Sequence, residues 1–254
     1  MGSRKSENNH QQIITMKQNI FLFIIIASTL LITGYTYQTD NDNKLTNTEK
    51  KEGWKLLFDG KTMTGWRTYQ NKGADSWSVN DGTLHSKGSS ANYGEINGDL
   101  MTESEFENFE LSVDWKISPK GNSGILYMVK EDTIPSYESG PEYQIIDDKN
   151  FPEKLEDWQK TAADYAMYTA PTAAPKEAGQ WNHARIVVNK NHVEHWLNGK
   201  KVVEYELYSD DWQKRKMSGK WKDFPGYGLT KKGHIELQNH GSEAWFKNIK
   251  IKEL

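Results

Sequence analysis

Residues 184–205 read ARIVVNKNHVEHWLNGKKVVEY, and this stretch decides the fold class. Ala184 to Val188 and Val193 to Leu197 are two short runs rich in β-branched and aromatic residues, joined through Asn189-Lys190-Asn191. Asn198-Gly199 then leads into a third run, Lys200 to Tyr205. Asn-Gly tolerates the positive φ angles of a type I′ turn, whose twist matches that of paired antiparallel strands. Strands that follow one another through such turns, with no regular helix between them, argue against a doubly wound α/β design. They point to an all-β, antiparallel sandwich or barrel.

The same rhythm extends in both directions. Phe109, Leu111, Val113, Trp115 and Ile117 alternate with Glu110, Ser112, Asp114 and Lys116, the pattern of a half-buried strand. Ile125 to Val129 follow a Gly-Asn-Ser-Gly turn, and Tyr143 to Ile146 follow Gly140-Pro141. Trp77 to Val79 and Thr83 to His85 flank Asn80-Asp81-Gly82. Near the C-terminus, residues 235–240 read IELQNH. Alternation puts Ile235, Leu237 and Asn239 on one face and Glu236, Gln238 and His240 on the other. Two stretches, 147–180 and 208–230, break the rhythm, and long insertions on a rigid sheet are where function tends to sit.

Composition narrows the function classes. A chain of 254 residues fits one sizeable domain plus extras. A net charge of −3 offers no field for a polyanion, so no nucleic-acid partner is expected. With no cysteine there are no disulfides, thiolate metal sites or thiol nucleophile. Ten tryptophans and twelve tyrosines suit both a large β core and rings that cover the apolar faces of sugars.

Lys17 precedes an apolar stretch from Ile20 to Ile32, the layout of a secretory signal and too short for a comfortable span. Leu31-Ile32-Thr33-Gly34 resembles a bacterial lipobox, with Tyr35 where a lipidated cysteine would stand. Residues 1–35 are therefore expected to be an N-terminal extension with a signal-like segment, 36–52 a polar disordered linker, and 53–254 a single β-sandwich domain. The expected location is the periplasm or surface of a bacterium, with membrane contact only through the N-terminal signal or anchor.

Familiar catalytic motifs are absent: there is no Gly-x-Ser-x-Gly elbow, phosphate-binding loop or His-Glu-x-x-His helix. The Glu-x-Asp-x-Glu strand of sandwich glucanases is missing too, which removes the cheapest support for a double-carboxylate glycosidase. What remains is three rows of polar side chains at alternating positions: Asp114 with Lys116, Glu142 with Gln144, and Glu236 with Gln238 and His240. Three such rows on one sheet would make a polar binding surface. Tyr168, in TAADYAMYTA, suits packing or sugar contact, and His195 suits a packed histidine or a ligand contact. Lys214-Arg215-Lys216 reads as a solvated basic patch.

Several separated motifs together resemble one family. They are GWKLLFDGKTMTGW at 53–66, GDLMTESEFENFELSVDWKI at 98–117, GNSGI at 121–125, GPEYQIIDD at 140–148, the GQWNHARIVV and HVEHWLNGKKVVEYE stretches, and GHIELQNHGSEAWFKNIKIKEL at 233–254. In this order they resemble the 3-keto-disaccharide hydrolase-like domain, whose members include proteins named as glycosyl hydrolases. The resemblance implies a concanavalin A-like jelly-roll sandwich of two curved antiparallel sheets, with ligands on the concave one. It also implies cleavage of 3-keto-glycosides: a ketone at sugar carbon 3 acidifies the carbon 2 hydrogen, elimination expels the group on carbon 1, and water then adds. Such chemistry needs a base, a stabiliser for the enolate oxygen and an acid near the leaving oxygen. On this basis Glu142 or His240 is the base, and Lys116 or a divalent cation the enolate stabiliser. Gln144, Gln238 and Tyr168 position hydroxyls, with Asp114 and His195 as further substrate contacts.

Relatives often carry Gln-Asp-His-Gly where this chain has Gln238-Asn239-His240-Gly241, and a histidine or arginine near the place of Met128. The alternatives to an enzyme are a non-catalytic carbohydrate-binding module of the cell envelope and a structural or adhesion domain.

Overall fold

In the computed structural model the described residues are 41–88, 98–132 and 135–254. The expectations for residues 1–40, the signal-like segment and lipobox included, lie outside them. Alternating side chains sort the described residues into thirteen strands. The first five are β1 (Lys55–Leu56), β2 (Trp66–Thr68), β3 (Trp77–Asn80), β4 (Thr83–Lys87) and β5 (Leu100–Thr102). Then come β6 (Phe109–Ile117), β7 (Asn122–Val129), β8 (Glu142–Ile146) and β9 (Asn182–Asn189). The last four are β10 (His192–Leu197), β11 (Lys200–Glu206), β12 (His234–Leu237) and β13 (Glu243–Glu253).

They form two antiparallel sheets. The larger runs β11-β10-β9-β6-β13-β4-β3, with β1 on β13, and the smaller runs β2-β5-β12-β7-β8. The stretch at 184–205 forms β9, β10 and β11, with His192 opposite Asn189 and Leu197 opposite Lys200. C-terminal strands lie between earlier ones, β13 between β4 and β6 and β12 between β5 and β7. This is an all-β jelly-roll sandwich, the fold class implied by the resemblance. Its core unites Leu111, Val113, Trp115, Ile186, Phe246 and Ile251 of the larger sheet with Ile125, Tyr127, Tyr143, Ile145, Ile235 and Leu237 of the smaller. Each aliphatic or Phe side chain so buried contributes about 1.5–3 kcal/mol.

The outer faces differ. Along β6, buried and half-buried residues alternate strictly, so the outer face of the larger sheet is wet. In β8 and β12 every residue is buried, so loops cover the outer face of the smaller sheet. A second apolar cluster, Tyr69, Met101, Leu126 and Val129, belongs to that cover.

The expected linker is shorter than its polarity implies. Asn47–Lys51 form a helix (α1) whose start is closed by a reciprocal Thr46–Glu49 capping box. Asn43 N–H donates to Asn248 Oδ1 at 2.6 Å and Asn248 N–H to Asn43 Oδ1 at 2.8 Å. These bonds fill the register shift of β13 between Lys247 and Lys250. Lys247 and Lys250 pair with Asp42 and Glu49, each at 2.7 Å. The folded unit thus begins at Asp42, because the polar side chains find specific partners on β13. Among the described residues no helix is long and apolar enough to cross a membrane.

Candidate active site

The smaller sheet carries a continuous row of outward side chains. Arg67 lies opposite Met101, Met101 opposite Glu236, Glu236 opposite Leu126 and Leu126 opposite Glu142. In the next row Gly124 lies opposite Gln144, and Gln238 N–H donates to Gly124 O at 2.9 Å, prolonging the ladder by one residue. Gly124 is required: a methyl there would overlap the Glu142 carboxyl, which lies across the bare backbone. Glu142, Gln144, Glu236 and Gln238 are all buried. Gln144 is held by its backbone, which exchanges hydrogen bonds with Ala162 and Ala163 at 2.8 and 3.1 Å.

Loops supply the walls. Helix α2 (Asp210–Ser218) is followed by a 3₁₀ turn, Lys220–Asp223. Trp221 of that turn stacks on Tyr227 at 4.0 Å between ring centroids, and Trp212 of α2 stacks parallel to Tyr227 at 6.3 Å. This column fixes Lys220, whose ammonium sits 4.6–4.8 Å from the ring centroids of Tyr137, Tyr165 and Trp221. A cation over such faces gains about 0.5–2 kcal/mol, depending on its desolvation.

Burial moves the acids and bases apart. Desolvation pushes Glu142 up to about 8, against the Lys220 charge, which lowers it. Desolvation and the same Lys220 charge lower His240. At neutral pH Glu142 is therefore mostly a neutral carboxylic acid and His240 a neutral imidazole, the split that marks an acid and a base. Glu236 is raised well above its ordinary value by burial and by the neighbouring Asp99 charge, whereas burial pushes Asp99 itself up to about 6. Ser136 Oγ bridges them, 2.6 Å from Glu236 Oε1 and 3.1 Å from Asp99 Oδ2.

Of the residues singled out from the sequence, Glu142, Gln144 and Gln238 share this buried face, and His240 follows Gln238 at the same parity. The others lie elsewhere. Asp114 and Lys116 project from the outer face of the larger sheet, because β6 belongs to that sheet. Asp114 is 2.7 Å from His183 Nδ1 and accepts from Asn248 Nδ2 at 2.8 Å, while Lys116 Nζ lies over Trp245 at 4.3 Å. His195 is in the core, fully buried. Its Nδ1–H donates to Ala162 O at 3.0 Å, which leaves Nε2 to accept from Tyr127 O–H at 2.9 Å. Burial holds it down at about 4, neutral. Tyr168 stacks on Tyr205 at 4.4 Å and donates to Asp211 at 2.9 Å, packing the 161–168 loop against α2. Lys216 is not solvated: its ammonium donates to the Pro225 and Tyr227 carbonyls at 3.0 and 2.7 Å.

Asn239 faces inward, where its Oδ1 accepts from Ser86 Oγ at 3.1 Å. Met128 has a positive φ of 58° at a bulge of β7 and packs with the main core rather than the outer cluster. Neither departure from the family pattern lies in the outward rows that carry Glu142 and Gln238. Lys220, Tyr137, Asp99 and Ser136 escape sequence reasoning because they come from loops with no periodicity, whereas Tyr165 stands out beside Tyr168 in TAADYAMYTA as a residue for packing or sugar contact. Glu236 is visible in the IELQNH alternation.

Among the described residues, the His, Asp and Glu donors close enough to share a cation are His192, Glu194 and Glu204. Lys201 already pairs with Glu194 and Glu204, at 3.1 and 2.7 Å, and Trp196 N–H donates to Glu194 at 2.7 Å. Among the described residues the donors around Glu142 form no such group of three.

A neutral acid, a neutral imidazole and a cation among aromatic rings on the covered face of a β-sandwich suit acid–base chemistry, and the relatives of the chain are carbohydrate-active enzymes. The family model described as a 3-keto-alpha-glucoside-1,2-lyase-like domain matches residues 53–252, and the chain belongs to that family. It is 36% identical over 230 residues to the 3-keto-disaccharide hydrolase of Bacteroides thetaiotaomicron, covering 80% of this chain and 79% of the relative. It is also similar to a Parabacteroides distasonis protein solved by crystallography and named a "putative glycosyl hydrolase". That likeness is 44% identity, with 84% of this chain and 99% of the other covered and a TM-score of 0.78. A second such structure from that organism is 27% identical, covers 74% of this chain and 99% of its own, and has a TM-score of 0.54.

Proposed function

We propose that the chain hydrolyses 3-keto-glycosides by elimination followed by hydration. The observation that carries this reading is that buried Glu142, neutral at physiological pH, and neutral His240 both lie within the field of the Lys220 charge. His240 takes the proton from carbon 2, and the electron pair moves onto the carbon 3 oxygen as an enolate. Lys220, rather than Lys116 or a cation, stabilises that oxygen, since preorganised charge is worth most in a covered site. The enolate collapses, the carbon 1–oxygen bond breaks, and Glu142 protonates the departing oxygen. Glu142, now a carboxylate, removes a proton from water as it adds to carbon 1, and the His240 imidazolium returns a proton to carbon 2. Gln144 and Gln238 orient hydroxyls. The rings of Tyr137 and Tyr165 line the cleft.

The test is turnover of 3-keto-glycosides and their unoxidised parents in D₂O. Elimination and hydration put solvent deuterium on carbon 2 of the released keto sugar, faster than that sugar exchanges alone. Release without deuterium incorporation points to direct displacement. Binding without turnover restores the carbohydrate-binding module. We also propose export, supported by Lys17 and the apolar run at 20–32. Fractionation of cells expressing the chain with and without residues 1–35 tests it, and retention of the full chain in the cytoplasm would refute it.

A further inference from the structure

Two acceptors of the cleft floor lack a protein partner: Glu236 Oε2 and Gln238 Oε1. Their residues are 0% and 8% exposed. They sit two positions apart on the same side of β12, with about 6.8 Å between their Cα atoms. A buried acceptor left without a donor costs about 1–3 kcal/mol, so this floor suits donors that arrive with a ligand.

Glu236 is also held in place. Its Oε1 meets Ser136 Oγ, Ser136 meets Asp99 Oδ2, and Asp99 Oδ1 accepts from Asn239 N–H at 2.6 Å. Together with the hydrogen bond that the Glu236 and Asp99 carboxyls share, that chain fixes the Glu236 carboxyl. Neutral O–H groups meet such acceptors without bringing a further charge into a buried site. A sugar ring offers several hydroxyls across a comparable width.

We propose that Glu236 and Gln238 form a specificity subsite that accepts hydrogen bonds from two hydroxyl groups of a sugar ring lying on β12, with Asp99 and Ser136 as positioning residues. It rests on the reading above only in taking the ligand to be a glycoside.

The test measures binding, not turnover. Glucosyl disaccharides of α,α-1,1, α-1,2 and β-1,4 linkage are titrated by calorimetry, and the one that binds best is followed by its monodeoxy analogues. Glu236→Leu and Gln238→Leu are expected to weaken binding at least tenfold. Glu236→Gln, which keeps an acceptor in place, should stay within twofold and controls for folding. At least one deoxy analogue should lose affinity for the wild type but not for Glu236→Leu, and a different one for the wild type but not for Gln238→Leu. Unchanged binding by both leucine variants, or the same deoxy discrimination in wild type and Glu236→Leu, would overturn the subsite, as would binding of no disaccharide by the wild type. Intact binding without turnover of 3-keto-glycosides overturns the catalytic reading and leaves the subsite standing.

Discussion

Glu142 is a carboxylic acid kept neutral by its surroundings, with a value of about 8, and in the proposed mechanism this sets the alkaline edge of activity. An acid must be protonated to work, so kcat/KM is expected to fall above about pH 8 as the carboxyl ionises. Glu142→Gln should lower kcat by about 10²–10⁴ and abolish that limb, as a pH–rate profile on both proteins will show. Lys116→Ala should leave turnover within twofold, because its ammonium lies over Trp245 on the other sheet. A loss comparable to that of Glu142→Gln would return the enolate role to Lys116.

At the scale of elements, the site depends on close approach between β7 and β8. Gly124 leaves the space that the Glu142 carboxyl occupies. Gly124→Ala should displace that carboxyl and reduce kcat about 10²-fold with little change in fold, since loss of geometry at an acid costs about as much as partial loss of the group. Steady-state kinetics alongside circular dichroism separate the two effects. Helix α2 contributes through packing: Trp212 and Tyr227 support Trp221, and Trp221 places Lys220. The basic run at 214–216 looked solvated in sequence, yet Lys216 ties α2 to the 225–227 backbone.

For the whole molecule, several buried carboxyls share one electrostatic consequence. Burial raises Asp164 to about 7, Glu142 to about 8 and Asp99 to about 6, and lifts Glu236 well above its ordinary value. The folded chain therefore holds protons that the unfolded chain releases above about pH 4. Their contribution to stability is full below that pH and is lost as pH rises through about 8. The thermal midpoint should fall between pH 5 and pH 8, and scanning calorimetry should show a smaller fall in Asp164→Asn. A midpoint that rises over this range would contradict the burial of these groups as neutral acids.

The sequence by itself determined the strands, since alternation and Asn-Gly turns are local signals, and its motifs pointed to the family. It also determined that Glu142 and Gln144 share a face, as do Glu236 and Gln238, because parity along a strand is local. Which sheet each row joins was decided only by the tertiary structure. Strand pairing sent Asp114 and Lys116 to the wet outer face, and the bulge at Met128 reversed a parity that simple counting would assign. The cover over the smaller sheet, with Lys220, Asp99 and Ser136, comes from loops whose positions depend on long-range packing. That cover removes water from Glu142 and His240, and burial there favours the neutral form of each.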